Sequence, residues 1–212
     1  MLTLYHAPAT AGMVVHWLLI ELGLPHRLHL LDLAKGEQKS ADYLRLNPSG
    51  VVPTLLMDDG APLCEAAAIA LHLVELSPER ELVPAPGTPA RAQCYRWMFF
   101  LANTLQPAYR AWFYPAEPAG EDHVEASKTA ARGRIEGAWR QIAAHLDQSG
   151  QPFMLGAHPS VVDFLTTMLM RWSRNMPTPS DRWPVLHAYA QRMKARPSWH
   201  EVCRREGLTD WV

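Results

Sequence analysis

Apolar and polar positions follow two different rules along this chain. Residues 2–5, Leu-Thr-Leu-Tyr, alternate and predict a short strand. After a loop of small residues at 6–12, the run 13–22 is almost wholly apolar and predicts a helix. Gly23 stops it, since glycine takes the left-handed conformation of a helix end without steric cost. Residues 26–33 alternate weakly and are rich in leucine, which suits a second strand; the opening reads as a βαβ unit with its parallel pair buried. Residues 35–46 are polar with scattered helical spacing. Residues 54–57 and 61–63 flank Asp58-Asp59-Gly60, which can make a tight reversal, and predict a hairpin. The stretch 65–75, EAAAIALHLVE, follows as a helix of high propensity.

Residues 77–89 carry four prolines and a glycine and little apolar content, so a domain boundary belongs there. The expected division is a first domain at 1–79, a linker at 80–89 and a second domain at 90–212. Beyond the linker the pattern turns helical: 90–106, 124–148, 161–172 and 183–194 all carry the helical period, and nothing reads as a strand. The fold class is therefore α+β, a βαβ-ββα domain followed by an all-α bundle. Ser160-Val161-Val162-Asp163 before an apolar run resembles a capping box with Asp in place of Glu, a structural signal without chemistry. Most of the eight tryptophans fall in the helices, where packing suffices to explain them.

Composition narrows the function classes. Nearly half of the 212 residues are hydrophobic, enough for a sizeable core, and 20 basic against 21 acidic residues give no electrostatic case for nucleic acid or an anionic membrane. The N-terminus is strand-like and lacks a basic region followed by an apolar core, so a cytoplasmic protein is expected. Cys64, Cys94 and Cys203 are odd in number and far apart, which supports neither a disulfide framework nor a zinc ribbon nor a thioredoxin-type dithiol. No metal is expected: His26 and His29 are close, yet on a strand they point to opposite faces, and no cysteine or carboxylate completes a set.

One stretch stands out chemically, Asn47-Pro48-Ser49-Gly50-Val51-Val52-Pro53-Thr54-Leu55. Pro53 pushes Val52 into an extended conformation and donates no hydrogen bond, which leaves the Val52 backbone free to pair with an extended peptide. A proline opening an edge strand is also common punctuation. The surrounding residues weight the choice. The stretches LYHAPATAG at 4–12, NPSGVVPTL at 47–55, PLCEAAAIALHL at 62–73 and SVVDF at 160–164 resemble, in order and spacing, the glutathione transferase family, with the bacterial beta class nearest. The resemblance covers essentially the whole chain. It implies a thioredoxin-like first domain, a cis Val52–Pro53 bond, glutathione as co-substrate, a homodimer and a detoxifying transferase activity.

Glutathione is a small extended peptide with two carboxylates, an amine and a thiol. On this resemblance Val52, beside Pro53, offers backbone pairing. The helix start at Glu65 and Ala66 offers free N–H groups and a positive dipole end to the γ-glutamyl carboxylate, with Glu65 taking the amine. Lys35 neutralises the glycyl carboxylate. Read without the family, an acid in a first helical turn and a lone loop lysine need no ligand.

Two positions depart from the family's pattern. Ala66 stands where most members place a serine. Ala11 and Gln106 stand where beta-class members have a cysteine and a histidine, which removes mixed-disulfide chemistry. Serine-using classes place their hydroxyl at the position of Thr10, and tyrosine-using classes theirs at His6, so Thr10 is the candidate thiolate donor, against a simple helix cap. Tyr5 and His6 read mainly as strand residues, with either ring able to line the thiol end. An apolar electrophile is expected to sit against His6, Gln106, Tyr109 and Trp112, the last three from the aromatic run LQPAYRAWFYP at 105–115. The alternative to a transferase is a family member that binds glutathione or a protein partner with little turnover. A thiol-disulfide reductase using Cys64 stands further back.

Overall fold

Strand β1 (Leu2–His6) lies at the centre of a four-stranded sheet and organises everything around it. Helix α1 (Gly12–Glu21) follows, then β2 (His26–Leu30), α2 (Ala41–Leu46), β3 (Thr54–Leu56), β4 (Pro62–Cys64) and α3 (Ala66–Glu75). The sheet order is β2-β1-β3-β4, with β1 parallel to β2 and antiparallel to β3, and β3 antiparallel to β4. The coordinates, a computed structural model, describe residues 1–212.

The alternation of β1 puts Leu2, Leu4 and His6 on the buried face. Helix α1 is buried from Gly12 to Leu19 and packs on β1 and α3, as expected of a helix that is apolar all round. Gly23, at φ +67°, ends it: Gly23 N–H donates to Ile20 O and Leu24 N–H to Leu19 O, the paired bonds of a Schellman stop. The expectation of a buried parallel pair holds for β1 only. Strand β2 lies at one edge of the sheet, paired on one side only, and leaves Leu28 and Leu30 exposed.

Two compact units make up the chain, and their limits differ from the division read in the sequence. The first holds residues 1–83 together with 194–212, the second residues 84–193. The C-terminal segment belongs to the first unit because α1 needs cover on a further side. Helix α10 (Pro197–Arg205) supplies it. Trp199 sets its ring 4.8 Å from that of Trp17, and the Trp17 Nε1–H donates to Ser198 Oγ at 2.8 Å.

The regular elements of the second unit are helices, with one isolated bridge between Phe153 and Gly156. Helix α4 (Pro89–Phe100) runs through a π turn, Leu101–Leu105, into α5 (Gln106–Phe113), so the helix expected to end at 106 continues. Pro107 explains the π turn: in a regular helix its ring would meet the carbonyl four residues back, and the wider turn accommodates it. Helices α6 (Ala116–Ala119), α7 (Val124–Ser149), α8 (Val161–Trp172) and α9 (Pro184–Lys194) complete the order before α10.

The capping box at the start of α8 has become a buried node. Asp163 accepts from Ser160 N–H at 2.7 Å, Ser160 Oγ at 2.8 Å, Met154 N–H at 2.9 Å and Tyr189 OH at 2.8 Å. Burial pushes its carboxyl upward in pKa while these four bonds pull it down. No helix is long and apolar enough to cross a membrane.

Candidate functional site

Strand register alone gathers the expected peptide-binding residues. His6 lies opposite Leu30, Tyr5 opposite Thr54, and Thr54 opposite Cys64. The C-terminal ends of β1, β2 and β4 and the N-terminal end of β3 therefore share one end of the sheet. The loop at 7–11, the loop carrying Lys35, the Val52–Pro53 turn and the Glu65–Ala66 helix start all leave from that end.

The Val52–Pro53 bond is cis. Val52 is half-buried, and its N–H and C=O take no part in the chain's own hydrogen bonds. The turn is held from behind by Tyr43, which sequence reasoning did not single out, and by Asn47, which opens the motif itself. Tyr43 OH donates to Val51 O at 2.7 Å and lies 2.9 Å from Thr54 Oγ1, while Asn47 Nδ2 donates to the same Val51 carbonyl at 2.8 Å. Burial raises the Tyr43 hydroxyl's pKa, so it stays a neutral donor. Cys64, half-buried, sets its sulfur 3.7 Å from Leu46 O and 3.8 Å from Thr54 Oγ1, a packed thiol at a strand end.

Glu65 is exposed and precedes α3 in a left-handed backbone conformation, φ +69° and ψ 108°, with no side-chain cap bond. A non-glycine residue held there costs about 1–3 kcal/mol, and such strain gathers where a side chain must be aimed. Ala66 opens the helix and is buried. Lys35 is exposed and pairs with Asp32 at 3.0 Å; that hydrogen bond holds the Asp32 carboxyl below its ordinary pKa. An exposed pair of this kind is weak.

The thiol end is built differently from expectation. Thr10 is half-buried, but its hydroxyl donates to Ala7 O at 2.6 Å and accepts from Gly12 N–H at 3.2 Å. Its single proton is committed to the loop. Ala9, left-handed at φ +61°, gives its N–H to Glu206 Oε2 at 2.8 Å.

His6 is completely enclosed, so its place in a substrate pocket is withdrawn: the two-residue period of β1 turns it to the core with Leu2 and Leu4. Tyr109 is withdrawn for the same reason. It is fully buried, its OH accepts from Trp139 Nε1 at 3.0 Å, and its ring packs on Phe113 and Trp172. Burial drives its pKa up. Gln106 and Trp112 remain partly exposed on α5, with Lys128 Nζ 6.0 Å from the Trp112 ring.

A cluster no sequence argument assembled lies beneath the loop. His16 Nδ1 is 2.9 Å from Glu206 Oε1, and His6 Nδ1 is 3.9 Å from the same oxygen. All three side chains are buried. Burial drops the His6 pKa to about 4, outweighing the pull of Glu206, so the ring is neutral near pH 7 and the 3.9 Å approach is no ion pair. Both His6 nitrogens and His16 Nε2 lack hydrogen-bond partners. Glu206 is 190 residues from His16, which is why spacing could not find the set.

Comparison with known proteins identifies the family. Residues 12–76 match the family described as glutathione S-transferase, N-terminal domain, and residues 121–192 match glutathione S-transferase, C-terminal domain. The glutathione S-transferase GST-4.5 of Xanthomonas campestris pv. campestris is 30% identical over 97% of this chain and 98% of its own length. The disulfide-bond oxidoreductase YfcG of Escherichia coli K12 is 34% identical over 99% and 98%. A glutathione transferase homologue from Sulfitobacter, solved with bound glutathione, superposes with a TM-score of 0.88 at 27% identity, covering 99% of both chains. With both family domains matched in order around a thioredoxin-like sheet, the chain belongs to the glutathione S-transferase family.

Proposed function

We propose that this protein is a glutathione transferase that joins the glutathione thiolate to an electrophilic carbon of an apolar small molecule. The convergence of the Lys35 loop, the free Val52 backbone, the strained Glu65 and the α3 helix start on one end of the sheet carries the reading. Val52 pairs with the peptide backbone, the α3 N-terminus receives the γ-glutamyl carboxylate, Glu65 takes the amine, and Lys35 leaves Asp32 for the glycyl carboxylate. The family's cytoplasmic homodimer belongs to the same proposal.

In the reaction the thiol proton passes to solvent, the sulfur–carbon bond forms, and a leaving group departs or the adduct takes up a proton. Lowering a thiol pKa from about 8.5 by two units requires roughly 2.7 kcal/mol of preference for the thiolate. Because the Thr10 proton is held by Ala7 O, we assign that preference to the N-terminal end of α1 and give Thr10 the role of shaping the loop. Thr10→Val is expected to lower stability by about 1 kcal/mol and leave the pKa of bound glutathione, read by thiolate absorbance, within a few tenths of wild type. A rise of more than one unit would return Thr10 to direct donation.

Ala66 favours a reading with weak binding and slow turnover. Ala66→Ser restores a hydroxyl beside the carboxylate site, and a hydrogen bond to a charged group contributes about 1.5–3 kcal/mol. Roughly tenfold or greater tightening of glutathione binding, measured by calorimetry, is expected. An unchanged affinity would move the carboxylate away from α3.

The likeness to YfcG supports a second reaction at the same site, attack of the thiolate on a disulfide sulfur. Product analysis separates the two: a conjugate consumes one glutathione, whereas disulfide reduction consumes two and yields oxidised glutathione.

A further inference from the structure

We propose that His6, His16 and Glu206 form a binding site for one divalent transition-metal ion of the zinc or cobalt class, set beneath the thiol-end loop. One donor atom from each residue lies within 4.8 Å of the other two. A tetrahedral ion with bonds near 2.05 Å separates its donors by about 3.3 Å. The two distances from Glu206 Oε1, 2.9 Å to His16 Nδ1 and 3.9 Å to His6 Nδ1, lie on either side of that value. Closing the set takes an opening of the His16–Glu206 contact by about 0.4 Å and an approach of His6 Nδ1 to Glu206 by about 0.6 Å, with the two imidazole donors already within 4.8 Å.

Three features favour an ion over a packed polar core. The first is the unpaired His6 Nδ1, a buried polar atom that is costly to leave without a partner and that an ion on His16 Nδ1 and Glu206 Oε1 would satisfy. The second is that the carboxylate is aimed independently of any ion, since Glu206 Oε2 is fixed by the Ala9 N–H. The third is room made for the ring: a Cβ added to Gly12 would stand 2.6 Å from His6 Cβ, so glycine at that position lets His6 lie under the loop.

Two imidazoles and one carboxylate are ligands for zinc, cobalt or nickel and a poor set for magnesium or calcium. Binding through His16 Nδ1 displaces the proton now given to Glu206, and that proton passes to solvent. The ion retains one net positive charge and a coordination position for water. Because Ala9 is tied to Glu206, occupancy also fixes the backbone of the thiol-end loop.

The test uses untagged full-length protein, stripped with a chelator and titrated with Zn2+ against a chromophoric competitor and with Co2+ by visible absorbance. Wild type is expected to bind one ion per chain, with the intense bands of four-coordinate cobalt. His6→Phe, which keeps the His16–Glu206 pair, is expected to weaken binding by a hundredfold or more, while His123→Ala, on the surface, leaves it unchanged. X-ray absorption on zinc-loaded wild type, which needs no variant to fold, should show two imidazoles with the remaining ligands oxygen. Absence of stoichiometric binding, equal affinity in His6→Phe, or a zinc shell without two imidazoles would each overturn the site.

Discussion

Each unit of this protein buries a carboxylate, and the two are treated oppositely. Asp163, in the helical unit, accepts four hydrogen bonds, and its partners belong to the start of α8, the preceding loop and α9. Glu206, in the unit that carries the sheet, accepts from one backbone N–H and one imidazole, beside a second imidazole with no well-formed hydrogen bond. The Asp163 arrangement is closed and has no capacity left. Around Glu206 there is unspent coordinating capacity directly below the loop to which the proposed function assigns the thiol. A saturated buried network fixes a fold, whereas a partly satisfied one marks a place with another task.

Deleting the saturated node should have the larger effect. Asp163→Ala leaves four donors without an acceptor, at a cost of about 3–5 kcal/mol in urea denaturation. Activity per folded molecule should stay near wild type, since none of the four donors is in the sheet-bearing unit. A variant that is fully stable, or stable but inactive, would erase the distinction between the two carboxylates.

Glu206→Ala comes next. It removes the Glu206 acceptor from the Ala9 N–H and from His16 Nδ1 and should cost about 2–4 kcal/mol. Unlike the first variant it should also lower kcat/KM at temperatures where the protein is fully folded, because Ala9 loses the bond that holds its left-handed backbone. An unaltered kcat/KM would make Glu206 a packing residue only.

The comparison also shows what a sequence can and cannot display. Asp163 was legible because its cap partners are three residues away, and the strands, the hairpin and most helices were legible because their periods are local. The cis Val52–Pro53 turn and the Glu65 helix start could be placed through their motifs. Tyr43 and Asn47, which hold that turn, carry no periodic signal, and the cluster around Glu206 forms only when α10 folds back on α1. His6 was the recoverable error: the period that made Leu2 and Leu4 core residues applies to it as well. Tyr109 was misplaced because an aromatic run on a helix looks the same whether it faces a ligand or Trp139.

The finest test of the comparison is Ala9→Gly. Glycine takes a φ of +61° without the Cβ penalty, which favours the folded state, but it also loosens the unfolded chain, which opposes it. The net expectation is a gain of about 1 kcal/mol or less in denaturant unfolding. If the strain held at Ala9 serves the loop, this slightly more stable protein should turn over more slowly, because the thiol-end backbone then samples conformations that alanine forbids. Stability and kcat would move in opposite directions at a single atom's removal. A gain in both would mean that Glu206 alone positions the loop and that the alanine at this turn contributes nothing to it.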